Sequence, residues 1–195
     1  WNTGVTEYSL GLDNSDSDKL KITDGSRPST GTNLFTMTTA GEVTMPLQPA
    51  FASYKDANTP NLTGDNTLVV AISCDTEVFD QNADYNNGTY TFTAPVTGRY
   101  YFTGCVYLYG VTAAMTKGYT FINASNWNWM GENKGTGKIY DQGTEETLTV
   151  SAFIDMDAAD TASFSCSLNN GTKVAGIGGD TGGALRTHFE GHLVC

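Results

Sequence analysis

Apolar side chains in this 195-residue chain recur at every second position and almost never at helical spacing. Gly and Asn interrupt each window before two helical turns can close. The segments Thr67 to Cys74, Gly88 to Ala94, Arg99 to Leu108, Gly118 to Ala124, Glu146 to Met156, Thr161 to Leu168 and Thr187 to Val194 all alternate and read as strands. Turn-rich links such as DQNADYNNG, APVTG, DMDAAD and AGIGGDTGGA separate them. Many short strands without crossover helices predict an all-β, antiparallel sandwich, jelly roll or barrel.

Residues 1–47 follow a different rule. Three strand-like pieces, Tyr8 to Leu12, Lys19 to Thr23 and Leu34 to Thr38, each carry only a few apolar residues, among them Leu10, Leu12, Leu20, Ile22, Phe35 and Met37. That is too little to close a core within one chain, so these strands are expected to bury their apolar sides against other chains. Pro46 and Pro49 stop a strand and reset the direction. The expected organisation is a β-rich segment over 1–47 and a larger domain over 48–195. The chain opens on Trp1 without an initiator Met, and is expected to be part of something longer.

A formal net charge of -11 argues against nucleic acid, or insertion at an anionic membrane, because both need clustered Lys and Arg. No apolar run approaches the roughly 18 residues of a membrane span. Cys74, Cys105, Cys166 and Cys195 have no CxxC spacing, and with two histidines they do not make a zinc set. Two disulfides and four free strand thiols both fit. Sequons at Asn61, Asn87, Asn123 and Asn170 are about as many as this composition yields by chance. No HExxH, GxSxG or P-loop string occurs, His188 and His192 both fall on the last strand, and Asp155 and Asp157 sit together at a strand end, so catalysis is not expected. DNSDSD (Asp13 to Asp18) lacks the Gly and closing Glu of a calcium loop and reads as a solvated turn.

The densest aromatic stretch is YTFTAPVTGRYYF, Tyr90 to Phe102. Taken alone it reads as a tight hairpin about Pro95 and Gly98, with Tyr90, Phe92, Tyr100 and Phe102 on one face. The full string VFDQNADYNNGTYTFTAPVTGRYYFTGCVYL resembles the signature of the complement C-one-q globular head, a jelly roll shared with the tumour necrosis factor superfamily. Phe79-Asp80, Phe92 to Pro95, Gly98, Tyr100, Phe102 and Val106 carry the likeness. Pro49 to Lys55 is similar to that family's first strand, and Phe189 and Gly191 stand in its closing FxGxLL pattern. One departure is MDAAD, where the family has a GD turn. The resemblance implies a homotrimer. No cofactor is assigned: calcium, bound by some heads near the trimer tip, suits the acidity, but no residue matches a ligand and the metal stays unknown. The segment YSLGLDNSDSDKLKITDG…GTNLFTMTTAGEVTMP resembles the β-rich shaft motif of bacteriophage tail fibres.

Together these resemblances imply a virion tail-fibre tip, extracellular when acting, that adheres to a bacterial surface glycan or outer-membrane protein. Two other readings stay open, a trimerisation clamp without receptor contact and a secreted complement- or cytokine-like ligand. Recognition is expected on polar loops at the end far from the chain's entry: Asp56 to Asp65, Gly110 to Gly118, Asp141 to Thr144 and Val174 to Ala184. Within them Asp56, Asn58, Asn61, Lys117, Gly178, Gly179, Asp180 and Thr181 are the candidate contacts, the glycines because they let a ligand approach backbone. Trp127 and Trp129 have the spacing of a sugar-stacking pair, but the expected topology puts them near the base, which points to core or interface packing.

Overall fold

Five of the seven alternating runs become strands almost end to end, but Thr67 to Cys74 leaves the strand after Val69, and only Thr91–Thr93 of Gly88 to Ala94 is strand, because residues 87–90 turn. The computed structural model describes residues 7–135, 144–180 and 182–195. The chain divides into two units, Trp1–Gln48 and Pro49–Cys195. Residues 141–143 and Thr181, which fall in two of the expected loops, lie outside the described residues. Among the described residues no helix is long and apolar enough to cross a membrane.

The first unit is an antiparallel meander of β1 (Tyr8–Asp13), β2 (Lys19–Asp24), β3 (Thr32–Met37) and β4 (Val43–Thr44), in that order. Its register lines up Leu10, Ile22 and Phe35 in one cross-strand row and Leu12, Leu20, Met37 and Val43 in the next. This apolar face is open: Leu10 is 69% exposed and Leu12 63%. The buried side chains are polar instead, namely Asp13, Lys21, Thr23 and Thr36. Lys21 Nζ lies 2.7 Å from Asp13 Oδ2 and 2.8 Å from Asp16 Oδ2, and Lys19 Nζ 2.7 Å from Asp16 Oδ1. The acidic run is therefore no solvated turn at Asp13. Asp13 caps the 3-10 turn Asn14–Asp16 by accepting from the Ser15 amide and meets Lys21, which the next strand returns.

The second unit is a two-layer antiparallel jelly-roll sandwich. It comprises β5 (Ala50–Tyr54), β6 (Thr59–Thr63), β7 (Asp65–Val69), β8 (Thr76–Asp80), β9 (Tyr85–Asn86), β10 (Thr91–Thr93), β11 (Gly98–Tyr109), β12 (Lys117–Ala124), β13 (Asn128–Gly135), β14 (Glu145–Met156), β15 (Thr161–Asn169), β16 (Ala175–Ile177) and β17 (His188–Leu193). One sheet has the order β13-β12-β15-β10-β9. The other runs β6-β16-β11-β17-β5-β8, with β14 paired to the free side of β11.

Tyr90 to Phe102 is not a hairpin. β10 pairs with β15 and β9, whereas β11 pairs with β14, β17 and β16, so the Pro95–Gly98 link carries the chain from one sheet to the other. The aromatic rings consequently face each other across the sandwich. Phe92 meets Tyr100 and Phe102, each at 5.4 Å between centroids. Tyr90 does not join them, because its φ of 60° turns it out of the strand pattern. Glycine makes room for this packing: a Cβ at Gly104 would lie 2.6 Å from the Phe164 ring, and one at Gly191 2.4 Å from Phe102.

Two outcomes are expected. Phe102→Ala lowers the free energy of unfolding in urea by about 3–5 kcal/mol, while the outward neighbour Thr103→Ala changes it by less than about 0.5 kcal/mol. The second concerns acid. Lys21 and Ser15 hold the Asp13 carboxyl down to about 2 from an ordinary 3.8, so the stabilisation it brings is full above pH 3.8 and is lost as pH falls through about 2. A carboxyl-carbon NMR titration of Asp13 should show this low midpoint, and Lys21→Met should raise it.

Candidate functional site

The sheet face turned away from the core is set by β11, whose residues alternate between Tyr100, Phe102, Gly104, Val106 and Leu108 inward and Tyr101, Thr103, Cys105 and Tyr107 outward. Register extends each outward residue into a row. Phe153, Tyr101, His192 and Ala50 form one row, and Ser151, Thr103, Glu190, Ala52 and Phe79 form the next. The Tyr101 ring sits 4.9 Å from Phe153 and 5.7 Å from His192. Beside this aromatic ridge the small residues Ala50, Ala52 and Gly191 leave a depression of about 540 Å3, walled by Phe79 and Tyr101. Phe153 is 61% exposed. The face thus carries both an apolar projection and an apolar hollow, which is more than a solvated surface needs.

The far end of the sheet gathers the expected recognition loops, but its glycines serve another purpose. Gly178 donates its amide to the Tyr107 carbonyl at 2.8 Å, and a Cβ there would lie 2.5 Å from the Tyr107 ring. Gly179 donates to Asn58 Oδ1 at 2.8 Å, and its side-chain position is filled by the Asp56 and Ala57 backbone. Both are buried, so the close approach they allow is that of their own chain rather than of a ligand. Asp56, Asn58 and Asp180 are joined around this contact: the Asp180 amide donates to the Lys55 carbonyl at 2.8 Å, and the Asp180 carboxylate accepts from Gly183. Asn61 is exposed on β6 with φ 56°, and Lys117 stands on β12 with its ammonium 5.4 Å from the centre of the Tyr119 ring. Arg186 covers the Tyr107 ring from 4.8 Å, an additional charged group at this end that the sequence pattern did not single out.

The reactive side chains are accounted for by packing. Among the described residues no group of three or more His, Cys, Asp or Glu is placed to hold a metal ion. All four cysteines are free. Burial pushes the Cys74 and Cys166 thiols up to about 12 and raises Cys105 as well. His188 Nδ1 lies 3.3 Å from Glu190 Oε1. The sequon at Asn170 is a structural element: the side chain is 2% exposed, accepts from the Thr112 amide and hydroxyl at 2.8 and 2.9 Å, and donates to the Gly110 carbonyl.

Trp127 and Trp129, expected in packing near the base, are not core residues. They are 70% and 44% exposed at the β12–β13 turn, beside a cleft with Asp155 and Asp157. The strand that carries Trp129, β13, was not among the expected ones.

No protein-family model and no curated protein matches the chain. Solved structures do. The globular domain of zebrafish complement 1qA protein covers 76% of this chain and 98% of its own length, at 15% identity and a TM-score of 0.51. Murine APRIL aligns over 75% of this chain and 99% of its own, at 9% identity and a TM-score of 0.47. Native alkylation with iodoacetamide should modify Cys195 and spare Cys74 and Cys166 until the chain is unfolded, since only the thiolate reacts. What the comparisons show is the fold: the Pro49–Cys195 unit is a jelly roll of the kind seen in the complement 1q globular domain.

Proposed function

We propose that the chain is a distal part of a homotrimeric bacteriophage tail fibre, a β shaft followed by a jelly-roll head that adheres without covalent chemistry to a bacterial surface glycan or outer-membrane protein. The observation that carries this reading is the first unit. Its cross-strand rows of Leu10, Ile22 and Phe35 and of Leu12, Leu20, Met37 and Val43 lie open, while its enclosed side chains are polar. A sheet built this way gains hydrophobic stabilisation when its open face packs against other chains, and copies of the same chain are always present beside it in a fibre. The head supports the same assembly. Its projection at Phe153 and its hollow over Ala50 and Ala52 are different patches of one surface, which suits a heterologous contact closing into a ring.

Adhesion would then fall to the far-end loops, where Asp56, Asn58, Asn61, Lys117, Asp180 and Thr181 remain the proposed contacts, while the buried Gly178 and Gly179 hold the loop backbone in place. Weak contacts at each tip are multiplied by the three copies and by several fibres per particle. A secreted complement- or cytokine-like ligand has the same fold, but four free cysteines and the enclosed Asn170 sequon favour the virion reading.

The test pairs assembly with binding. Light scattering should give a trimer, and Phe153→Asp combined with Leu10→Asp should shift it toward monomer. The labelled trimer should bind some bacterial strains saturably and not others, and Asn58→Ala with Asp180→Ala should weaken that binding. An intact trimer that binds no strain would leave the clamp reading.

A further inference from the structure

At the end of the head where Pro49 enters, the β12–β13 turn and the Asp157–Asp160 turn are fastened together. The Asp160 carboxylate accepts from Asn126 Nδ2 at 2.9 Å and from the Asp157 amide at 3.0 Å. Ser125 Oγ accepts from the Thr161 amide at 2.8 Å, and the Ala124 amide donates to the Trp127 carbonyl at 2.9 Å. These bonds fix the backbone on both sides of a cleft of about 250 Å3, lined by Trp127, Trp129, Ile154, Asn126, Asp155 and Asp157. The Asp155 and Asp157 carboxylates have no hydrogen-bond or ion-pair partner among the described residues. Arg99, opposite Asp155 in the β11–β14 register, is the cation nearest in that ladder.

We infer that this cleft is a carbohydrate subsite, which takes a neutral pyranose by stacking it on Trp127 and Trp129 and accepting its hydroxyls on Asp155 and Asp157. Three features converge on that ligand class. The exposed indoles offer large, rigid apolar faces at little cost in conformational entropy, and a pyranose presents a matching face of C–H groups. Carboxylates are acceptor-only, and adjacent sugar hydroxyls are donors that fill both oxygens of each. The excess of negative charge from Asp155, Asp157 and Asp160 over Arg99 disfavours uronic and sialic acids. A second copy of the chain fits the cleft less well, since an apolar contact there would take two carboxylates out of water without a cation to pair them. The inference goes beyond the adhesion reading and rests on it only for the source of the sugar.

The experiment follows tryptophan fluorescence and saturation-transfer NMR on the intact trimer. The neutral probes are methyl glycosides of glucose, galactose, mannose and N-acetylglucosamine and an uncharged O-antigen oligosaccharide released from lipopolysaccharide, with glucuronic acid as the anionic control. The subsite requires a saturable response to at least one neutral probe and none to glucuronic acid. Trp127→Ala should weaken that binding about tenfold or more, and Asp155→Asn with Asp157→Asn should also reduce it, with the trimer retained. Binding of oligosaccharide alone would place the source on the bacterial surface, whereas equal response to simple glycosides would mark a general sugar site. No response to any neutral probe, unchanged binding in Trp127→Ala, or loss of the trimer in Trp127→Ala would overturn it, the last by making the cleft an interface. Cell binding separates the two ideas. Trp127-dependent sugar binding without attachment to cells keeps the subsite and removes the adhesion reading, and attachment without sugar binding does the reverse.

Discussion

The stacked position of Phe51 is the contact on which the head depends. Its ring lies 4.7 Å from Tyr85 and 5.3 Å from Phe92, nearly parallel to both, and meets Phe189 edge-on at 5.2 Å. β5 and β17 belong to one sheet and β9 and β10 to the other, so this one side chain joins the layers. The stack also explains why glycine stands at 104 and 191, where any side chain would strike Phe164 or Phe102. With the aromatic mass turned inward, the outer face of the β14-β11-β17-β5 layer is left for other contacts.

The two units solve burial in opposite ways. The head encloses its apolar residues, and each buried polar group it admits has a bond, as when the Tyr85 hydroxyl donates to the Cys74 carbonyl at 2.8 Å. The meander encloses Lys21 and Asp13 beside the turn between β1 and β2, and Thr23 against the link that follows β2, where its hydroxyl donates to the Arg27 carbonyl. A buried charge pair is a weak source of net stability, because desolvation offsets much of its attraction. It is a good device for fixing which face is closed: with Lys21 and Asp13 committed inward, the Leu10 and Leu12 rows can only point outward.

Much of this was legible in the sequence where period-2 alternation runs long. β11, β12, β14, β15 and β17 differ from the expected strands by no more than one residue at either end. The hairpin failed because alternation and a Pro-x-x-Gly turn specify local reversal but not which sheet each arm joins, a choice made by β14, β15 and β17 far along the chain. β13 was missed because NWMGENKG has no alternating apolar set; it is held by pairing with β12 along its length. Gly178 and Gly179 were misjudged as openings because sequence shows that a glycine admits a neighbour, not which one. The exposure of Trp127 was hidden for the same reason, since two tryptophans at i and i+2 suit a core as well as a surface.

Identity of 15% at this degree of shape likeness has a physical consequence for what resemblance conveys. The residues that carry it, Phe92, Pro95, Gly98, Tyr100, Phe102, Phe189 and Gly191, are the core rings, the turn between layers and the glycines that make room for packing. They constrain the inside of the sandwich, which every jelly roll of this size must fill in a similar way. Recognition is free to vary on the outside, where Trp127, Asp155 and Asp157 stand. The fold is therefore argued best from the enclosed rings and close-packed glycines, and a ligand from the side chains that stand outside them.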